Sequence, residues 1–270
     1  GIPLFVEELT RTVMESVVLT DAGDHFELSG PLPPLAIPAT LQDSLLARLD
    51  RLALVKDVAQ IGAVIGRAFS YDILAKVSVL PEPELSVSLG ELVRSELVFR
   101  RGTPPDAIYS FKNALVQDAA YASLLKSRRH ELHARIAAVL EDHFPETIAT
   151  EPEVLAHHLS QAGLHGHAVE YWQKAGEIAV RRSANIEAIA HFSKALETLA
   201  TQPDSSARSE QEFALQMAVA VPLVATKGIS GTEVEQAYSR AQALSEEQGK
   251  LDQVFPVFRG LWNCYLARGE

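Results

Sequence analysis

The chain has 270 residues, with 47% hydrophobic and 22% charged, a composition that excludes a disordered or collagen-like chain and predicts two packed domains or a domain with a repeat array. A formal net charge of −11 opposes general binding to polyanions, and the lone Cys264 excludes a disulfide within the chain, so a reducing, cytoplasmic setting is expected. The opening run Gly1-Ile2-Pro3-Leu4-Phe5-Val6 passes at once to Glu7 and Glu8 without the basic start of a secretory signal, and Lys56, Arg67 and Lys76 interrupt the most apolar stretch, so neither a leader nor a membrane span is expected.

Phe5, Leu9, Val13 and Val17 recur at four-residue spacing and predict an amphipathic helix from Gly1 to about Leu19, started through Pro3. Gly23, Gly30, Pro31, Pro33, Pro34 and Pro38 then predict a linker or ordered loop from Asp21 to Pro38, because proline at this density cannot continue a helix. Residues 1–38 form one expected segment. Thr40, with Asp43 three residues on, predicts a capped helix carrying Leu41, Leu45, Leu49 and Leu52 on one face. Leu54, Val58, Ile61 and Ile65 predict the next, where Gly62 and Gly66 would admit a close backbone. Ser70 is placed to cap a short helix from Tyr71 to Val77, and Leu85, Leu89, Leu92 and Val93 mark a longer one after Pro81 and Pro83. The sole strand signal is residues 97–101 and 107–111, joined through Gly102-Thr103-Pro104-Pro105-Asp106, which predicts a β-hairpin. Helices followed by one hairpin is the order of a winged-helix domain, expected over residues 39–145.

From Asn113 onward the signal is helical. Asn113 is placed to cap a helix bearing Leu115, Val116, Ala119, Ala120 and Leu124, and Ser127 to cap the next, where Leu132, Ile136, Val139 and Leu140 face one way. Beyond Pro145, Trp172, Ala175, Gly176, Ala179, Ala188, Phe192 and Ala195, with Pro203 after them, resemble the tetratricopeptide pattern in residue type and spacing. The small residues let two helices touch, and Trp172 and Phe192 fill the wider gaps. Pro152 to Ala162 reads as half of a preceding unit. Phe213 to Val224 with Thr232 to Leu244 reads as the following one, started by a Thr232–Glu235 capping box, and a further helix begins near Leu251. The expected fold is therefore all-α, mainly helical: a winged-helix domain with one β-hairpin, then an α-solenoid of tetratricopeptide-like helix pairs over residues 146–270, truncated at its C-terminal end.

Two segments are more specific than their composition. Gly1-Ile2-Pro3-Leu4-Phe5-Val6-Glu7-Glu8-Leu9 resembles the Gly-x-Pro-Leu run that follows the ATPase core in signal-transducing ATPases of the STAND class, and the segment from Phe111 to Tyr121 resembles the helix after the wing in the same proteins. The whole chain resembles the downstream part of large bacterial proteins in which a class III adenylate or guanylate cyclase domain precedes the ATPase and tetratricopeptide repeats follow it. The resemblance implies that Gly1 and Pro3 pack against the adenine of nucleotide bound upstream, and that Asn113 stands where a histidine near the phosphates is usual. Asn113 hydrogen-bonds but carries no positive charge. Read from residues alone, Gly1 and Pro3 are equally a helix start, and Asn113 an ordinary N-cap. No Gly-x4-Gly-Lys-[Ser/Thr] loop occurs, so ATP or ADP is expected in the parent protein and no cofactor in this chain.

Other constellations give no chemistry. His130-Glu131-x-His133 falls one residue short of the zinc spacing, and His157, His158, His165 and His167 straddle a turn at Gly163 without a recognised ligand spacing, so no metal is expected. Basic residues cluster at Lys126, Arg128, Arg129 and Arg135 and at Arg94, Arg100 and Arg101, but Glu82, Glu84, Glu91 and Glu96 lie along the would-be recognition helix and disfavour DNA. No nucleophile elbow is present, so the chain is not expected to be an enzyme. The expected function is regulation and protein interaction, with partner sensing by the repeats coupled to an upstream ATPase and a cyclase as a further output. A tetratricopeptide adaptor without nucleotide coupling is the alternative, and a DNA-binding regulator ranks last.

Overall fold

The computed structural model describes residues 19–21, 26–28, 49, 53–249 and 251–269. Most of the expected first helix, the proline cluster and most of the helix capped by Thr40 lie outside the described residues, although Leu49 is helical and fully buried. The chain is mainly helical and divides between Leu132 and His133 into two compact units.

In the first unit, β1 (Leu19–Asp21) pairs antiparallel with β2 (Phe26–Leu28), Leu19 opposite Leu28. This corrects two expectations, a helix reaching Leu19 and a linker beginning at Asp21. Thr20, Phe26 and Leu28 suit a pleated strand.

The centre of this unit is α1 (Ala53–Ile65), in which Val58, Ala59, Ile61, Ala63 and Val64 are all buried. It is followed by β3 (Ala68–Ser70), α2 (Tyr71–Val77), α3 (Glu82–Arg94), β4 (Val98–Arg101), β5 (Ile108–Phe111) and α4 (Ala114–Ala122). Ser70 caps α2 by accepting from the Ile73 N–H at 3.2 Å. On α3, Leu85, Ser88, Leu89 and Leu92 turn inward at helical spacing.

The expected hairpin forms, but it is not the only sheet structure: β3 joins its edge to give the antiparallel order β3-β5-β4. A three-residue strand has no legible alternation of its own. It is held by distant partners, with the Phe111 N–H donating to the Arg67 carbonyl at 3.0 Å and the Tyr71 N–H to the Ala107 carbonyl at 2.8 Å. Helix, strand, two helices and a closing hairpin whose second strand pairs back to the first strand is the winged-helix arrangement. Gly62 admits a ring rather than a backbone, since a Cβ there would stand 2.7 Å from the Phe69 ring. α4 docks on α1 through Gln60 Nε2, which donates to Ser123 Oγ at 2.8 Å, and Gln117 Nε2, which donates to the Ala63 carbonyl at 3.2 Å.

The unit boundary falls within α5 (Lys126–His143). Ser127 does not cap this helix: it begins one residue earlier, with the Leu125 carbonyl accepting from the Arg129 N–H at 3.0 Å. Arg129 also donates to the Ala122 carbonyl and lies over the Tyr121 ring, which anchors the first turn at that register. His133 and Ala137 face inward with Leu132, Ile136 and Leu140, whereas Val139 is only half-buried.

The second unit continues through α6 (Pro145–Thr150), α7 (Pro152–Gln161), α8 (His165–Arg181), α9 (Asn185–Ala200), α10 (Ser206–Lys227), α11 (Thr232–Gln248) and α12 (Leu251–Arg268). From α7 onward each helix packs on its successor, the quasi-one-dimensional build of a helical repeat array. At the α8–α9 pair, Trp172, Ala175, Gly176 and Ala179 meet Ala188, Phe192 and Ala195, and all seven are buried. A Cβ on Gly176 would stand 2.6 Å from the Phe192 ring. The same device recurs at α11–α12, where Gly260 leaves room for the Tyr238 ring, beside a core of Ala241, Val257 and Leu261. The Thr232–Glu235 capping box does not form. Gly231 is the cap of α11, and Glu235 is drawn instead to Arg268, whose Nη1 lies 2.5 Å from its carboxylate.

Candidate functional site

In the second unit, α5 and α7 bring two imidazoles together, His133 and His158, with their Nδ1 atoms 2.9 Å apart and both side chains almost wholly buried. At that distance one Nδ1 carries a hydrogen and donates it to the other, whose Nδ1 accepts through its lone pair. His157 lies at their edge, its ring centroid 5.7 Å from that of His133 and 5.4 Å from that of His158. Burial, reinforced by the neighbouring His133 and His157, pushes the His158 pKa down to about 3, and burial also lowers that of His157. Among the described residues no group of three or more His, Cys, Asp and Glu side chains is arranged to hold a metal ion.

His157 also opens onto a cavity of about 420 Å³. α7 contributes His157, Ser160 and Gln161 to it; α8 contributes His165 and Trp172; α9 and its C-cap contribute Lys194, Glu197, Thr198 and Thr201. Helical periodicity explains the sets: 157, 160 and 161 share one face of α7, and 194, 197, 198 and 201 one face of α9. Trp172 is fixed by its Nε1–H, which donates to Ser160 Oγ at 2.9 Å, and by stacking on His191 at 5.7 Å between centroids. The Ser160 hydroxyl donates to the Ala156 carbonyl, that of Thr198 to the Lys194 carbonyl and that of Thr201 to the Thr198 carbonyl, at 2.7–2.8 Å. Lys194 Nζ meets Glu197 Oε2 at 2.7 Å, and Nδ1 of His165 is buried without a hydrogen-bond partner.

Of the residues singled out in the sequence, Asn113 caps α4, its Oδ1 accepting from the Val116 N–H at 3.0 Å. Gly1 and Pro3 lie outside the described residues. The seven repeat residues form the α8–α9 contact, of which Trp172 alone also reaches the cavity. Neither the His133–His158 contact nor the cavity is signalled by spacing, since the first joins residues 25 apart and the second draws on three helices. On α3, Glu82 and Glu84 are exposed. Among the described residues no helix is long and apolar enough to cross a membrane.

No family model matches the chain. An uncharacterized protein of Rhizobium meliloti (strain 1021) is 26% identical over 267 residues, a match covering 97% of this chain and 25% of that protein. The chain thus spans about a quarter of the length of this curated relative.

Proposed function

We propose that the chain is a regulatory and protein-interaction segment of a larger cytoplasmic signalling protein, in which the helical repeats sense a partner and the winged-helix unit couples that event to an upstream ATP-binding core. The observation that carries this reading is the order of parts, a winged-helix unit running into stacked helix pairs. The match to the Rhizobium meliloti protein supports it, because it takes in both units together within a quarter of that protein. A partner would act by binding differently to two states of the coupled assembly, since a ligand that favours neither cannot shift the balance. Catalysis, whether ATP hydrolysis or nucleotide cyclisation, is assigned to residues outside this chain. The exposed Glu82 and Glu84 on α3 speak against a DNA-facing surface.

The test is calorimetric binding of ATP and ADP to the longer protein, with and without Pro3→Ala and Asn113→Ala. Weaker binding in both variants supports the coupling. Unchanged binding favours the second reading, an adaptor that holds a protein or peptide on its repeats with no nucleotide coupling. The cavity between α7, α8 and α9 speaks for that reading, because it needs only the repeat unit.

A further inference from the structure

Resting on the protein-interaction reading, we infer that the cavity between α7, α8 and α9 receives a cationic side chain of the partner, an arginine or lysine, rather than an acidic or apolar one. The hydroxyl hydrogens of Ser160, Thr198 and Thr201 are already given to backbone carbonyls of their own helices, so these groups face the cavity as acceptors. Ser160 Oγ takes one hydrogen from Trp172 and keeps a further lone pair, since a hydroxyl oxygen has two. Glu197 adds a carboxylate, of which Lys194 engages one oxygen at 2.7 Å. That ion pair is exposed on both sides and easily exchanged for a better donor.

Helix ends act in the same sense. Ser160 and Gln161 close α7, and Thr198 and Thr201 stand at the end of α9, so two negative helix C-termini border the cavity against the single N-terminus of α8 at His165. Burial holds His157 toward its neutral form, so it adds no competing cation. A guanidinium fits this set best, since its five N–H groups in a planar fork can reach several acceptors at once. The net charge of −11 draws a basic partner to the chain at long range.

The experiment uses the 270-residue chain with Trp262→Phe, which leaves Trp172 as its only tryptophan and hence the reporter of the cavity. Emission is followed during titration with the peptides acetyl-Gly-Gly-Xaa-Gly-Gly-amide, where Xaa is arginine, citrulline or glutamate. The arginine peptide is expected to give a saturable change, with citrulline at least tenfold weaker. Glu197→Gln weakens arginine binding at least tenfold, and Lys194→Ala leaves it equal or tighter. Both positions are exposed, so folding is retained and checked by circular dichroism. Preference for glutamate, equal binding of citrulline, or loss of binding in Lys194→Ala with none in Glu197→Gln overturns the inference. A chain that binds none of the peptides but captures a protein partner elsewhere also overturns it, while leaving the interaction reading in place.

Discussion

Acidification should strike the second unit at one identifiable place, the His133–His158 pair. In the unfolded chain His158 titrates at its ordinary 6.5, and in the fold at about 3. Between these values the unfolded state holds a proton that the folded state excludes, so this residue makes stability fall as pH drops below 6.5. One pKa unit corresponds to about 1.4 kcal/mol, so the loss at pH 4.5 is about 2.7 kcal/mol. His158→Asn keeps a polar group near the position of Nδ1 but has nothing to titrate. It destabilises the chain at pH 7.5, by loss of packing and of the ring-to-ring hydrogen bond, yet escapes the acid penalty. Urea unfolding followed by Trp172 emission in the Trp262→Phe background, at pH 7.5 and 4.5, should show the gap between wild type and His158→Asn closing by about 2–3 kcal/mol on acidification. A gap that stays constant with pH would refute a buried, neutral His158.

Three further outcomes are expected. Gly176→Ala forces a methyl into the Phe192 ring and should cost about 1–3 kcal/mol in thermal unfolding, whereas Gly166→Ala on the same helix, with nothing within 4 Å of the new methyl, should change little. Asn113→Ala removes the cap of α4 and should lower urea stability by about 1 kcal/mol, and Asn113→Asp should restore most of it. Cys264 is fully buried and burial pushes its thiol pKa up, so alkylation by iodoacetamide should be negligible in the native chain and rapid in denaturant.

Legibility in the sequence followed how local the cause was. The α8–α9 pair could be read because the tetratricopeptide pattern records where two sequence-adjacent helices touch. The caps at Ser70 and Asn113 were visible because each bond spans three residues. β3 was not, since its pairing is set by a strand about 40 residues away. Ser127 and Thr232 have the residue type of caps, but the neighbouring register was decided elsewhere, by Arg129 against Tyr121 and Ala122 and by Arg268 against Glu235. The histidines show the same limit: helical geometry separates His157 from His158, but only the packing of α5 on α7 selects His158 for the interior. The cavity is composed of residues individually ordinary for helix surfaces, and its character emerges only when their hydrogen bonds are counted together.

Three glycines among the described residues face aromatic rings, Gly62 with Phe69, Gly176 with Phe192 and Gly260 with Tyr238, and each position is answerable to its partner. A missing methyl on one side is occupied by ring carbon on the other, so neither residue can change alone without clash or void. Related chains that carry alanine at position 62, 176 or 260 should therefore carry a smaller or differently turned side chain at the matching position. The double change Gly176→Ala with Phe192→Leu should recover part of what each single change loses, a coupling that a double-mutant cycle measures directly.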